Sequence, residues 1–258
     1  MRTRQSTVVL VIFGLLALGS AGTAPEAAAT GWCSRSALTL PAGTLIGTPG
    51  DDVMRGTDGP DTMKGLGGND IICGGDGDDI IYGGGGSDTL LGEKGNDRLY
   101  GQTRCDNLIG GSGNDVLVPG KGGVDCTGLV VGDNGNDRIV LSFVGFYDIY
   151  GGWGRDTLDI SKMTYEMTVD LRNHAFSPSY YPNTESRVHE IEKVFGSPQA
   201  DHLYGDDLSN VLQGRGGDDF LHGLGGDDRL IGGAGHDQVD GGDGHDVCEG
   251  EELWSCND

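Results

Sequence analysis

The sequence predicts an all-β fold of stacked coils, a solenoid, and three observations predict it. Glycine fills 50 of the 258 positions, far above the roughly 7% of average usage. A nine-residue period runs without a gap from Gly47 to Val118. Each period carries one aliphatic residue at its eighth position, too little for a unit to bury alone, so units must stack on their neighbours. Aromatic residues make up only 7% of the chain, which argues against a large layered core.

In chain order, residues 1–29 read as a secretory signal peptide. Arg2 and Arg4 give a basic start, Val8 to Leu18 is an apolar run, and small residues follow with cleavage after Ala24 or Ala29. The run is shorter than the ~20 residues a membrane helix needs, and no later segment reaches spanning length. Cleavage after Ala29 leaves 15 basic and 39 acidic residues, a net charge of −24 against −23 for the whole chain. The mature chain is expected to be secreted and extracellular, with no transmembrane segment. Residues 30–46 form an N-terminal cap segment. The field of such an acidic chain repels phosphates and no basic patch stands out, so nucleic acid is excluded as a partner. Cys33, Cys73, Cys105, Cys126, Cys248 and Cys256 all follow the leader. An even count in an exported chain argues for disulfides, with 15 connectivities open.

Residues 47–118 hold eight consecutive units, each opening on glycine. The fourth position is glycine in seven of them, Arg104 being the exception. The sixth is aspartate throughout: Asp52, Asp61, Asp70, Asp79, Asp88, Asp97, Asp106 and Asp115. The eighth is Met54, Met63, Ile72, Ile81, Leu90, Leu99, Leu108 and Leu117. Residues 119–195 are degenerate, with single units at Gly132 (Asp137, Ile139) and Gly151 (Asp156, Leu158) and a loop excursion near 172–187. A second run over 196–249 places Asp201, Asn210, Asp219, Asp228, Asp237 and Asp246 at the sixth position. Residues 250–258 close the chain as a C-terminal cap.

Within a unit, glycines at the first and fourth positions permit left-handed angles and close approach. The last three residues, with an aliphatic centre, make a very short strand whose middle side chain points inward. A glycine turn followed by aspartate offers both carbonyl and carboxylate oxygens, the donors a hard cation such as calcium takes, six to eight at a time. High net charge alone would fit a disordered chain, but phase-locking of aspartate to the aliphatic position has no reason to exist in a coil.

At these residues the chain resembles the RTX, or haemolysin-type, calcium-binding repeat family, whose pattern is G-G-x-G-x-D-x-U-x. GGDGDDIIY (74–82), GGSGNDVLV (110–118) and GGAGHDQVD (232–240) match it position by position. The resemblance implies a parallel β-roll, a right-handed solenoid of 18-residue turns with calcium clamped between successive loops. It makes the sixth-position aspartates, including Asp137, Asp156, Asp201, Asp219, Asp228, Asp237 and Asp246, side-chain ligands. Carbonyls of Gly65, Gly74, Gly83, Gly92, Gly214, Gly223 and Gly232 complete the shell. Facing loops then give clefts for up to about ten Ca2+, whose charge nearly cancels that of the mature chain. Arg104, Gln199, Leu208 and Asn210 mark defective clefts. The roll also suggests the pairing Cys105–Cys126 between adjacent turns, Cys248–Cys256 at the C-terminal end, and Cys33–Cys73 by what remains.

Several chemistries are excluded by pattern. No EF-hand loop, no H-E-x-x-H and no G-x-S-x-G elbow occurs, and Gly-X-Y triplets are not sustained. The expectation is a calcium-binding module that is not an enzyme. A toxin of the same family would carry long apolar pore-forming regions, and an exported hydrolase would need a catalytic domain outside the repeats. The protein or surface partner is left open.

Overall fold

The computed structural model describes residues 33, 38–39, 43–122, 127–143, 145–179 and 186–256. The expected signal peptide, most of the cap segment and Cys126 lie outside these residues. Among the described residues the chain is all-β, wound into two sheets of 14 and 11 strands, called here the first and second sheet. Odd units contribute to the first sheet and even units to the second. Ile72 pairs with Leu90 in the first, and Met63 with Ile81 in the second, each one coil of 18 residues apart.

Alternation along each strand explains the core. The eighth-position side chain points between the sheets and its neighbours point out. From Met54 to Leu117 every eighth-position residue is fully buried, and Leu203, Leu212, Leu221, Leu230 and Val239 repeat this in the second run. All belong to one apolar cluster running the length of the roll. The three-residue strands expected from one unit are longer here, as in Ile71–Asp76. The first residues of the following unit continue the pairing, so that Gly75 sits beside Glu93.

The degenerate middle is more regular than its sequence. Leu108 pairs with Val130 and Leu117 with Ile139, a coil of 22 residues. Ile139 pairs with Leu158 and Val130 with Ile149, a coil of 19. Val130 and Ile149 thus close coils that the nine-residue period does not mark. Met167–Asp170, Ala175–Pro178 and Ser186–His189 then join the first sheet, the middle strand antiparallel to the two that flank it. The second sheet passes this excursion directly, Leu158 pairing with Val194 and Val194 with Leu212. At the C-terminus, Glu252–Trp254 pairs with Gln238–Asp243 and supplies another half coil rather than a bare closing loop.

Cys33–Cys73 and Cys248–Cys256 are disulfides. Cys105 is also disulfide-bonded, and its expected partner, Cys126, lies outside the described residues. Cys33 and Cys73 pack with Leu91 in a small second cluster.

Candidate metal centre

Two kinds of loop precede the strands, and the second residue of the unit decides which. In twelve units that residue has a positive φ: six glycines from Gly75 (113°) to Gly242 (98°), and Leu66, Glu93, Gln102, Asp133, Arg215 and Leu224 at 74–83°. In the units at 47, 56 and 196 it is Thr48, Thr57 or Ser197, without that twist. There the second-position N–H donates to the sixth-position Oδ2, at 2.5 Å in Asp52, 2.7 Å in Asp61 and 2.6 Å in Asp201. The hydroxyls donate to the same carboxylates. The unit at 205 behaves likewise, Asp206 N–H reaching Asn210 Oδ1. In the twelve twisted units the N–H turns away. Their aspartates (70, 79, 88, 97, 106, 115, 137, 156, 219, 228, 237 and 246) are the twelve whose Oδ2 is buried with no hydrogen-bond partner.

The other oxygen is held the same way nearly everywhere. Within the regular runs the sixth-position N–H donates to Oδ1 of the aspartate one coil on, as from Asp61 to Asp79 (2.8 Å), Asp79 to Asp97 (2.7 Å) and Asp201 to Asp219 (2.7 Å). A second ladder, unforeseen from the sequence, runs the opposite way at the fifth position. Asn96 N–H donates back to Asp78 Oδ1, Asn114 to Asn96 and Asn136 to Asn114. The preference for Asn and Asp there is thus a backbone-satisfying one.

The free Oδ2 faces the first-position glycine. A methyl on Gly74 would lie 2.6 Å from the carbonyl oxygen of Gly92, one coil on, and closer still to Asp79 Oδ2. The same cradle recurs at Gly65, where the neighbours are Gly83 O and Asp70 Oδ2. The first glycine is therefore required by space, not by a left-handed angle as its pattern suggests. Its φ is not positive in any unit, whereas the second and fourth positions carry the positive values. Arg104 adopts that angle at 74° in place of the fourth glycine.

Burial raises the carboxyls of Asp70, Asp88, Asp97, Asp137 and Asp228. Desolvation pushes Asp79, Asp106, Asp156 and Asp219 up to about 7 and Asp115 to about 8, against an ordinary 3.8. At Asp61 burial also raises, but the N–H groups of Gly43 and Thr57 outweigh it and the net shift is downward. A buried carboxylate oxygen lacking any donor, beside a backbone carbonyl oxygen, is satisfied by a proton or by a cation, and a cation draws on both oxygens at once. Among the described residues no three carboxylates come within 4.8 Å of one another. A cation between coils must therefore draw on carbonyls too, which suits calcium.

The two sides of the roll differ. On the first sheet's side the column Asp52, Asp70, Asp88, Asp106 stops, and Gly128, Tyr147, Ser186 and Met167 hold the sixth place before Asp201. The Tyr147 ring is buried and fits a slot where a Cβ on Gly128 or Gly145 would come within 3.0 or 2.8 Å of it. On the second sheet's side carboxylates run through the middle: Asp115, Asp137, Asp156 and then Glu192, whose Oε2 accepts Asp156 N–H at 2.8 Å. Asn210 breaks this column, with a buried unpartnered Nδ2 unsuited to a cation. Glu251 extends the first column, accepting Asp237 N–H at 2.9 Å. Glu192, Glu251 and Tyr147 escape a sequence reading because their units lack the glycines that set the phase.

Fold and site together define a cation-binding β-solenoid, built of coils whose facing loops carry stacked carboxylates. The family model of the RTX calcium-binding nonapeptide repeat (four copies) matches residues 46–81, 74–103, 106–123, 204–239 and 213–248. The chain thus carries RTX, haemolysin-type, calcium-binding repeats in both of its runs. No curated protein sequence matches it significantly.

Proposed function

We propose that this chain is an exported structural module that binds several calcium ions between its coils and is folded or held rigid by them, without enzymatic activity. The observation that carries this is the set of twelve buried Oδ2 atoms with no partner, each beside the first-position glycine of its unit. Twelve such oxygens in a metal-free roll are a large desolvation penalty, and calcium bound at them neutralises it. Binding free energy then becomes folding free energy. The number of ions is proposed at up to about ten, from the paired loops and the charge to be cancelled. Affinities of about 10⁻⁴–10⁻³ M are those of extracellular modules.

Export is supported by the leader-like residues 1–29 and by the cysteines, since disulfides persist in oxidising compartments. The non-enzymatic reading rests on how the chain is used. The roll takes up the described residues from 43 to 256, and its buried acids stand in repeated ladders rather than in one asymmetric cleft. The test is far-ultraviolet circular dichroism during a calcium titration of chelator-treated protein. Strand signal is expected to grow with calcium and to vanish with chelator; a spectrum indifferent to both would defeat the reading.

A further inference from the structure

The matched repeat stretches end at residue 123 and resume at 204, yet the geometry of the second sheet's loops carries on between them. At Gly151 a Cβ would overlap the carbonyl oxygen of Glu190 and lie 2.8 Å from Asp156 Oδ2. That is the cradle found at Gly65 and Gly74, with Glu190 standing where the next coil's first glycine would be. Asp156 is fully buried and its Oδ2 has no partner.

The coil above is unlike any regular unit. Tyr150 pairs with His189 and Thr157 with Lys193, so residues 190–192 span a gap that residues 151–156 span below. Three residues replace six, and the glycine turn is gone. Glu192 and Lys193 donate their N–H groups to Asp156 O at 3.2 and 2.9 Å, which pins the short link down. From there a carboxylate must reach Asp156 N–H, and Glu192 does so at 2.8 Å. The extra methylene of glutamate supplies the reach that the missing loop would have given.

We propose that this junction is a calcium site of its own, formed by Asp156 Oδ2, the Glu190 carbonyl and the Glu192 carboxylate, where no glycine loop closes it. It rests on the calcium reading above and extends it: the cation column on the second sheet's side continues one coil further, onto the excursion, before Asn210 breaks it. Calcium, whose shell is flexible and takes carboxylates, carbonyls and water together, tolerates such a half-built cradle, whereas magnesium demands a near-ideal octahedron. On the first sheet's side the same level is filled by Tyr147, so the junction has a site on one side only.

Trp153 ends the strand Phe146–Trp153, three residues before Asp156, and is 67% exposed, a local antenna for terbium used as the calcium probe. The full chain is titrated with terbium under tryptophan-selective excitation, beside the Trp153→Phe variant, and the difference is the emission of this site. Bound calcium is counted in parallel by equilibrium dialysis. We expect a Trp153-dependent component that calcium displaces. Glu192→Gln, which keeps size and loses charge, and Glu192→Asp, which keeps charge and loses reach, should each weaken that component tenfold or more and remove one bound calcium. Circular dichroism in saturating calcium should stay unchanged. An unaltered midpoint and calcium count in both variants overturns the proposal. So does the absence of a Trp153-dependent component in wild-type protein that binds calcium elsewhere, a result needing no change at the site and leaving the calcium reading intact. Wild-type protein that binds no calcium at all would overturn both.

Discussion

At the scale of single residues, the second position of each unit acts as the selector between a satisfied and an open aspartate. Thr57 supplies both an N–H and a hydroxyl to Asp61, while Gly75 turns its N–H away and leaves Asp79 Oδ2 bare. Thr57→Gly should therefore open the loop at Asp61 and add one bound calcium, read by equilibrium dialysis. An unchanged count would place the choice in the turn backbone instead. The first position is governed by space. Gly74→Ala puts a methyl against Gly92 O and Asp79 Oδ2. Overpacking of this kind costs about 1–3 kcal/mol, so a lower Tm in saturating calcium and the loss of one ion are expected.

At the scale of elements, the coils that break the pattern are held by other means. Tyr147 fills the cation column with an aromatic ring, buried beside Gly128 and Gly145. Tyr147→Ala should destabilise the calcium-loaded protein by about 3–5 kcal/mol, the range for a large buried aromatic, without changing the number of ions bound. The last strand, Glu252–Trp254, lies at the open end of the first sheet and is tied back by Cys248–Cys256, eight residues apart in sequence. Replacing both cysteines with serine should weaken the folded state by about 2–3 kcal/mol from loop-closure entropy. Hydrogen exchange is expected to rise first in Glu252–Trp254 and its neighbour Gln238–Asp243.

At the scale of the whole molecule, the aspartate ladder couples folding to pH in opposite senses with and without metal. In the metal-free roll the buried carboxyls of Asp88, Asp79 and Asp115 titrate at about 6, 7 and 8, against 3.8 ordinarily. The folded state thus holds protons that the unfolded chain has released. Its stability is greatest below about pH 4 and is lost as pH rises through 6 to 8. Chelated protein should gain strand signal on acidification from pH 8 to 5. Calcium-loaded protein should instead lose affinity over that interval, because protons compete for the same oxygens. Apparent calcium affinity that does not vary with pH, measured by isothermal titration, would contradict this.

The sequence by itself determined the coil, the direction of the eighth-position side chains and the aspartates of the two runs. Those features repeat at a fixed spacing, so each unit reports on its neighbours. Tertiary structure alone decided where coils of 22 and 19 residues close, because Val130 is placed by pairing with Leu108 and Ile149 by pairing with Val130, rather than by glycines of their own. It also decided that Glu192 and Glu251 continue the ladders, since each is recognised only by the N–H it accepts, from Asp156 and from Asp237. The role of the first glycine is hidden from the sequence for the same reason. A φ preference is a local property and legible in one unit, but the oxygen that forbids a Cβ at Gly74 belongs to Gly92, a full coil away. Which aspartates stand open to a cation depends on how a second residue twists against that next coil, and only the stack fixes it.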